Sequence, residues 1–367
     1  MSRPINVVLA AGGTAGHIEP ALNLADALMR EQADAVVTVI GGEHGLETAL
    51  VPARGYALKT VPAVVMPRRI SKELVSVGPQ VVRATRRAVE HLELLKPDVV
   101  VGFGGYAALP TYRAASKLGI DLVIHEANAR AGLANRVGAR HATEVYVAVP
   151  GSMRGIPMSL PLRQSIAHLE RHESKAEALE IFGLSSEAPV LLVFGGSQGA
   201  QHINDVLAAA LPQLLADGVQ VLHGFGPHKS PPPSQPGYVP LAYIERMDLA
   251  YAAADLVVCR SGAMTVAEVS AVGLPAIFVP LPIGNGEQRT NALPVVQVGG
   301  GHLIDNDELA ASWLAATVSP LIHDAAELQR MGQAAQRVGV RDAAQRFAVA
   351  VLRVARQRRA RTGEDAS

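Results

Sequence analysis

The same opening occurs twice in this chain. "INVVLAAGGTAGHIEPALNLADALMRE" begins at residue 5, and "PVLLVFGGSQGAQHINDVLAAALPQLL" begins at residue 189. Each runs from an apolar stretch through Gly-Gly, Thr or Ser, one residue and a further glycine into an amphipathic stretch. This order predicts a buried strand, a tight loop and a helix. The repetition predicts two similar α/β domains rather than one long domain.

Further apolar runs follow each opening and alternate with helical patterns. They cover 35–42, 97–105, 122–128 and 144–149 in the first half, and 219–226, 255–262 and 275–282 in the second. Continuous apolar runs are typical of parallel strands that are buried on both faces. Their alternation with helices predicts two doubly wound α/β sheets.

Breaks in these patterns predict the domain limits. Residues 150–166 are rich in Pro, Gly and Ser, which places a boundary near 163/164. We therefore expect domains over 1–163 and 164–340. Residues 324–357 read as one long amphipathic helical region, and the last ten residues as a frayed tail. The proline-rich stretch 226–238 predicts a surface loop.

Composition limits the classes of function. The 367 residues are 49% hydrophobic and carry no net charge, which is typical of a globular chain. Only 4% are aromatic, so we expect no stacking platform for nucleic acid. Cys259 is the single cysteine, which excludes an intramolecular disulfide and a cysteine zinc site and fits a reducing cytoplasm. No apolar run reaches about 18 residues, so we expect no transmembrane helix.

The glycine loops at 12–16 and 195–199 predict anion binding. A loop between a parallel strand and a helix offers free backbone N–H groups and the positive end of the helix dipole. Neither loop matches the nucleotide P-loop or the dinucleotide fingerprint G-x-G-x-x-G. A tight turn that binds nothing is the alternative for one loop alone, and two matching loops favour a ligand. A third glycine-rich strand end, "VVVGFGGYAALP", leads into Tyr106.

Polar residues at the first helix start and at the end of one buried strand are candidates for catalysis or ligand binding. His17 lies at the start of the first predicted helix, where the dipole favours neutral imidazole and hence a general base. The alternative is an ordinary helix-start histidine. His125, Glu126 and Asn128 end a buried strand, either as backbone caps or to recognise a hydroxyl-rich ligand.

Two acidic positions in the second half are candidates for ligand binding. Glu268 lies in the helix that follows "CRSG" and suits a ribose diol, although acidic residues are common in first helical turns. Asp305 and Asp307 have a spacing that can hold a divalent metal, but N-capping of the next helix is the simpler interpretation. We expect no metal and no cofactor.

Taken together, the motifs resemble the MurG family of bacterial cell-wall glycosyltransferases. They are "GGTAGHIEPA", "GFGGY", "IHEANARAGLANR", "FGGSQGAQHIN", "RSGAMTVAE" and "GNGEQRTNA", in this order from residue 11 to about 294. The resemblance implies the GT-B fold, which has two Rossmann-like domains around a central cleft. It also implies that residues 341–367 form a C-terminal helix that packs back on the N-terminal domain, plus a frayed tail.

The resemblance also implies an activity. Family members transfer N-acetylglucosamine from UDP-N-acetylglucosamine, with inversion, to the 4-hydroxyl of N-acetylmuramic acid in undecaprenyl-linked lipid I, which forms lipid II. It implies His17 as the base, with Glu126 as its rival or its orienting partner. The implied substrate-binding residues are Thr14, Ala15, Gly16, Asn128, Arg163, Ser197, Ile244, Ala263, Met264, Thr265, Val266, Ala267, Glu268, Gln288 and Asn291. Tyr106 and His125 join this list from their places at the ends of predicted strands.

Two positions depart from the family pattern. Alanine replaces a common third glycine at position 15, where the backbone N–H is kept, and Ala127 replaces a common glutamine. Position 127 is therefore given no role.

A lipid-linked acceptor also implies contact with the cytoplasmic face of the cell membrane. Residues 1–163 hold 18 Lys/Arg against 13 Asp/Glu, a formal +5, and the remainder holds 15 against 20, a formal −5. Apolar and cationic residues are mixed within 61–90: Val64, Val65, Met66, Val75 and Val81 with Arg68, Arg69, Lys72, Arg83, Arg86 and Arg87. This mixture suits an anionic leaflet, although by itself it reads as an ordinary amphipathic helix. Other cell-wall synthesis proteins are candidate partners.

Other functions remain open at this point. A natural-product glycosyltransferase would act on a soluble acceptor, and a UDP-N-acetylglucosamine epimerase would need no acceptor. A non-catalytic UDP-sugar-binding module or scaffold would bind UDP without turnover. A nicotinamide dehydrogenase is least favoured, because neither loop carries its fingerprint.

Overall fold

A computed structural model describes residues 3–62, 64, 74–227, 229–282 and 286–363, with the backbone alone at 74–77. The chain divides into two compact units. Unit 1 comprises residues 1–163 with 342–367, and unit 2 comprises residues 164–341. The C-terminal segment therefore belongs to the unit that the N-terminal residues form.

Unit 1 combines strands and helices in alternation. Its strands are β1 (Asn6–Ala11), β2 (Val36–Gly42), β3 (Ala57–Val61), β4 (Val99–Gly104), β5 (Leu122–Glu126), β6 (Glu144–Val147) and β7 (Ile156–Pro157). Its helices are α1 (Ala15–Glu31), α2 (Glu47–Ala53), α3 (Leu74–Leu95), α4 (Ala108–Lys117), α5 (Leu133–Gly138) and, from the end of the chain, α14 (Ala343–Thr362).

Unit 2 repeats this plan. Its strands are β8 (Val190–Phe194), β9 (Gln220–Gly224), β10 (Tyr238–Leu241), β11 (Leu256–Cys259), β12 (Ala276–Phe278) and β13 (Gly301–Leu303). Its helices are α6 (Gln164–Ala167), α7 (Arg171–Phe182), α8 (Gln201–Ala216), α9 (Met247–Ala253), α10 (Ala263–Val272), α11 (Glu287–Gln297), α12 (Ala311–Ile322) and α13 (Ala325–Gln336).

Both sheets have the same strand order. Over the described residues, the strands of unit 1 are ordered β3-β2-β1-β4-β5-β6-β7 and those of unit 2 β10-β9-β8-β11-β12-β13. The pairings of β1 with β2 and β4, and of β8 with β9 and β11, are parallel. In each sheet the order reverses beside the first strand, between β1 and β4 or between β8 and β11. Ligands of open α/β sheets bind at the carboxyl ends of strands at this switch point.

Helix α14 completes the core of unit 1. Its buried residues recur at helical spacing and pack in one cluster with α1 and the central strands: Ala344, Phe347, Ala348, Val351, Leu352 and Ala355. The Phe347 ring lies 6.1 Å from Phe103 and 5.1 Å from Tyr146, centroid to centroid. The described part of the C-terminal segment thus closes one face of the sheet.

Two predictions about the C-terminal region are corrected here. The region 324–357 is two helices, α13 and α14, because Gly339 between them passes so close to α10 that a Cβ there would lie 2.5 Å from the Ser270 carbonyl oxygen. The predicted frayed tail is helical as far as Thr362, where α14 ends. Residues 364–367 lie outside the described residues.

Candidate active site

Two glycine loops meet at the switch point of unit 1. Gly12 and Gly13 follow β1, and Gly105 follows β4. A Cβ on Gly105 would lie 2.1 Å from the Gly12 carbonyl oxygen, and Gly105 has φ +86°. Only glycine suits a position with both restrictions. The two backbones therefore form one continuous surface at the carboxyl ends of β1 and β4.

The Glu47 side chain holds the first of these loops in place by hydrogen bonds. The carboxylate is buried, and it accepts hydrogen bonds from the N–H groups of Gly13 at 3.2 Å and Gly42 at 2.8 Å. Cβ atoms on Gly12 and Gly45 would lie 2.7 Å and 2.4 Å from its oxygens. The glycines thus make room for a carboxylate that joins the ends of β1 and β2.

His17 stands in the first turn of α1, beside these loops. Its Nδ1 lies 3.0 Å from the Thr14 hydroxyl, and a Cβ on Gly104 would lie 3.4 Å from its Cδ2. Burial lowers the pKa of the ring, so the imidazole is neutral near pH 7. If Nδ1 carries the proton and donates to Thr14, then Nε2 holds a lone pair that can accept a proton. The position and the charge state suit a general base.

Thr14, Ala15, Gly16 and Tyr106 surround this position in unit 1. Thr14 is the N-cap residue of α1, and no side chain caps the helix there. Thr14, Gly16 and Tyr106 are exposed and Ala15 is partly exposed. The open helix start and the exposed phenol are therefore accessible to a ligand.

Glu126 has a different setting from His17. Its carboxylate is buried and accepts hydrogen bonds from the N–H of Asn128 at 2.9 Å, the N–H of Gly132 at 3.0 Å and the Asn135 side-chain amide at 2.9 Å. These three donors hold the loop from β5 to α5 in shape. Protonation of Glu126 would weaken all three bonds, so the geometry favours a structural role over a role as base. Asn128 itself is only partly buried, on the same loop.

His125 lies in the core rather than at a ligand surface. It is completely buried, its Nε2 lies 3.1 Å from the Met158 carbonyl oxygen and 3.2 Å from that of Ser159, and its ring packs 5.1 Å from Phe347. The predicted ligand contact of His125 does not fit this position, because alternate residues of a strand point to opposite faces. Burial lowers the pKa of the ring to about 4.

Buried neutral histidines predict an acid-sensitive fold. Burial holds the pKa of His125 and of His223 at about 4, so between pH 6.5 and 4 the unfolded chain binds protons that the folded chain does not. Stability is full above pH 6.5 and falls as the pH falls, by about 1.4 kcal/mol per pH unit for each histidine. Urea unfolding at pH 7, 6 and 5 should show that the free energy of unfolding of unit 1 changes less with pH in His125→Gln than in the wild type. The same dependence on pH in His125→Gln as in the exposed His141→Gln control would contradict this.

Arg163 is the last residue of the first segment of unit 1 and lies beside α1. Its Nη2 is 3.2 Å from Glu19 Oε2, and the same oxygen is 3.2 Å from Arg54 Nη2. Glu19 is two residues beyond His17 on the same helix. The guanidinium is thus held near the start of α1, on the unit that carries His17.

Unit 2 presents two open helix starts at its own switch point. α8 begins after the loop 195–199 and α10 after Ser261 and Gly262. Neither N-cap residue, Ala200 or Gly262, provides a side-chain acceptor for the first-turn N–H groups. Their first-turn N–H groups therefore suit a phosphate. Ser197 is exposed on the first loop. Over the start of α10, Ala263, Met264, Thr265 and Ala267 are partly exposed and Val266 is buried.

Glu268 is held by a tyrosine that the sequence did not indicate. The Tyr251 hydroxyl donates to Glu268 Oε2 at 2.9 Å, and both side chains are buried. Arg171 fixes the end of α9 in turn, because its guanidinium donates to the carbonyl oxygens of Tyr251 at 2.9 Å and Gly273 at 3.0 Å. This carboxylate therefore has a fixed orientation one turn into α10.

The remaining predicted residues of unit 2 are Ile244, Gln288 and Asn291. Ile244 is buried, and a Cβ on Gly224 would lie 3.1 Å from its Cδ1. Gln288 Oε1 accepts from the Leu281 N–H at 3.0 Å, and Asn291 lies next to the Ser261 carbonyl oxygen at 3.4 Å. Residues 284 and 285 of the motif "GNGEQRTNA" lie outside the described residues.

Asp305 and Asp307 do not cap the next helix. α12 has Ala310 as its N-cap residue without a side-chain hydrogen bond, and the Asp305 carboxylate pairs with Arg289. The predicted N-capping is therefore wrong, because the helix begins farther along the chain than the sequence pattern suggested. In the described ranges, no three His, Cys, Asp or Glu side chains are grouped so as to hold a metal ion.

Comparisons with known proteins agree with this architecture. The N-terminal domain of glycosyltransferase family 28 matches residues 7–147, and the C-terminal domain of that family matches residues 190–347. The crystal structure of MurG from Acinetobacter baumannii superposes with a TM-score of 0.76 at 27% identity, over 95% of this chain and all of that one. The glycosyltransferase of kitacinnamycin has a TM-score of 0.74 at 18% identity, over 96% of this chain and 99% of that one, which shows the shared fold alone. The fold is GT-B.

Curated relatives narrow the family. A UDP-N-acetylglucosamine--N-acetylmuramyl-(pentapeptide) pyrophosphoryl-undecaprenol N-acetylglucosamine transferase of Streptomyces avermitilis is 54% identical over 347 residues, which is 92% of this chain and 95% of that protein. The same enzyme of Mycobacterium sp. (strain KMS) is 52% identical over 97% of this chain and 98% of that protein. The chain belongs to this family of N-acetylglucosamine transferases, the MurG family, within glycosyltransferase family 28.

Proposed function

We propose that the chain transfers N-acetylglucosamine from UDP-N-acetylglucosamine to the 4-hydroxyl of N-acetylmuramic acid in lipid I, with inversion, and so forms lipid II. The observation that carries this proposal is the 54% identity, over 95% of its length, to a relative whose name states this transfer. The open helix starts and the neutral histidine at the two switch points supply the groups that the reaction needs.

Unit 2 is the proposed donor site. The first-turn N–H groups of α8 and α10, with the Ser197 hydroxyl, bind the diphosphate and stabilise the charge that develops on UDP as it leaves. Glu268 accepts hydrogen bonds from the ribose hydroxyls, and Tyr251 keeps its carboxylate in place. The backbone of Ile244 meets uracil, and Gln288 and Asn291 contact the sugar.

Unit 1 is the proposed acceptor site and carries the base. The acceptor O4 attacks C1 of N-acetylglucosamine, and the new O4–C1 bond forms as the bond from C1 to the diphosphate oxygen breaks. The hydroxyl proton passes to His17 Nε2, and the electron pair of the broken bond leaves with UDP. Thr14 orients the ring through Nδ1. The loops 12–16 and 104–106, with Asn128 and Arg163, bind the acceptor diphosphate and the donor sugar.

A reconstituted assay tests the activity. Purified protein is incubated with radiolabelled UDP-N-acetylglucosamine and a lipid I analogue, and the label should move into the lipid fraction with release of UDP. Transfer only to soluble acceptors would favour a natural-product glycosyltransferase. Conversion of the UDP-sugar without acceptor would favour an epimerase, and UDP binding without turnover would favour a binding module.

The proposed location is the cytoplasmic face of the cell membrane, as a peripheral protein. None of the helices in the described ranges is both long and apolar enough to cross a bilayer. On α3, Val82, Arg83 and Arg86 are exposed, whereas Val64 and Val81 pack with Ala84 in a small buried cluster. The exposed residues therefore support the cationic part of the interaction. Val65, Met66, Arg68, Arg69 and Lys72, and the side chain of Val75, lie outside the described residues.

Vesicle binding tests this location. The protein should sediment with vesicles that contain anionic phospholipid and be released by high salt, because exposed charges are screened. Arg83→Glu and Arg86→Glu, each made alone, should weaken sedimentation, and Arg337→Glu on unit 2 serves as the charge-matched control. Equal binding to neutral vesicles, unaffected by salt, would contradict the charge-based part of the proposal. Binding partners among cell-wall synthesis proteins would be sought by co-purification.

A further inference from the structure

Tyr112 is a buried tyrosine in the middle of α4, and glycines on two other elements make room for it. A Cβ on Gly102 of β4 would lie 2.1 Å from its Cε1, and a Cβ on Gly138 of α5 would lie 2.4 Å from its Cδ2. The side chain is 2% exposed. The ring therefore fills a slot that exists only because both neighbours lack side chains, and its position is fixed by packing.

The hydroxyl of Tyr112 joins two loops of the site by hydrogen bonds. It accepts from the Gly104 N–H at 2.9 Å, so its own hydrogen is donated to Asn135 Oδ1 at 2.8 Å. The Asn135 side-chain amide then donates to Glu126 Oε2 at 2.9 Å, and Glu126 Oε1 accepts from the Asn128 N–H at 2.9 Å. The Asn135 amide nitrogen also donates to the His125 carbonyl oxygen at 3.2 Å. These bonds form a chain that runs from the loop after β4 to the loop after β5.

The first end of this chain lies against His17. Gly104 has φ +88°, and a Cβ on it would lie 3.4 Å from His17 Cδ2 and 3.3 Å from the Asn135 amide nitrogen. The imidazole and the buried amide thus both border the space that a side chain on Gly104 would fill. A shift of Gly104 would change the space in which the His17 ring is held.

We propose that Tyr112 is a positioning residue that fixes the wall beside His17 and the Asn128 loop relative to one another. This inference rests on the proposed function, because that proposal assigns the proton transfer to His17. Without the hydroxyl, the Gly104 N–H and Asn135 Oδ1 lose their partner inside the protein, where neither has water to replace it. The loops then no longer share one reference point, and small displacements at a reacting centre slow the chemistry more than they weaken binding.

Tyr112→Phe tests the proposal because it keeps the ring and removes only the hydroxyl. At saturating donor and acceptor, kcat should fall about tenfold while the dissociation constant of UDP stays within about twofold, since the groups proposed to bind UDP belong to unit 2. Tyr146→Phe is the matched control. It also removes a tyrosine hydroxyl bond in unit 1, at 2.5 Å to Glu144 Oε2 on β6, and should leave kcat unchanged.

A second measurement separates positioning from general damage to the fold. In a His17→Ala background, Tyr112→Phe should slow the reaction by less than about threefold, because the group that it positions is absent. The full tenfold loss in that background, or a kcat within about twofold of wild type for Tyr112→Phe alone, would overturn the proposal. UDP binding and thermal unfolding, measured on every variant, show that the protein is folded. Absence of transfer by the wild type would instead refute the proposed function.

Discussion

His17→Ala should lower kcat for transfer to lipid I by about 10²-fold or more while UDP binding is retained. General-base catalysis contributes about 10² to 10⁴ in rate, and His17 belongs to unit 1, whereas the proposed UDP site belongs to unit 2. The measurement is kcat at saturating substrates, together with the UDP dissociation constant. His141→Ala, which removes an exposed histidine of the same unit, is the control.

The pH profile sharpens this expectation. The reaction needs the neutral imidazole, and burial lowers the pKa of His17 below its ordinary 6.5. Wild-type kcat should therefore stay constant through neutral pH and fall on the acid side, below 6.5. The variant should lose this acid limb together with its rate. Wild-type kcat in His17→Ala would move the base elsewhere, with Glu126 next, although its three donors argue against that role.

Arg359→Ala should destabilise unit 1 by about 3 kcal/mol, because breaking a buried ion pair leaves a buried charge poorly compensated. Arg359 is 4% exposed, and its Nε and Nη2 donate to the Asp98 oxygens at 2.9 Å and 2.8 Å. Its Nη1 also donates to the Arg3 carbonyl oxygen at 2.7 Å. Among the described residues, the Arg3 side chain and the Asn6 N–H would remain as donors to Asp98.

Urea unfolding of unit 1 measures this loss. Arg356→Ala is the control, since Arg356 is an exposed residue of the same helix whose bond is to Gln32 at 2.9 Å, and its effect should be within about 0.5 kcal/mol. Equal unfolding midpoints for the two variants would show that the Asp98 pair does not hold α14 in place. Arg359→Lys should recover only part of the loss, because lysine cannot form the two-pronged contact.

The interior of each sheet could be predicted from the sequence, and its edges could not. All nine apolar runs taken as strands contain a strand in the described structure. The missed strands are β3, β7, β10 and β13, which are the four outer strands of the two sheets. Outer strands are partly exposed, as the alternating burial of β3 shows, and so they lack the continuous apolar run that marks a central parallel strand.

The candidate site divides in a similar way. The glycine loops, His17 and Glu268 follow from motifs that are contiguous in the sequence. Glu47, Tyr112 and Tyr251 do not, because each acts on a residue from a separate element. Tyr112 reads as an ordinary apolar position of a helix, and its role depends on the absence of side chains at Gly102 and Gly138. The prediction of a ligand contact for His125 shows the opposite problem. The sequence marks His125 as a polar residue at a strand end, but its side chain points into the core.

The place of α14 in unit 1 has a consequence for folding during synthesis. The ribosome makes the complete sequence of unit 2 before it makes α14, the helix that completes unit 1. Domains generally fold as units during synthesis, so here the half that is made first is finished last. Until α14 has been made, the sheet face around Phe103 and Tyr146 lacks Phe347, its aromatic neighbour. A premature stop codon within α14 therefore destabilises unit 1, which contains the N-terminal residues, rather than unit 2.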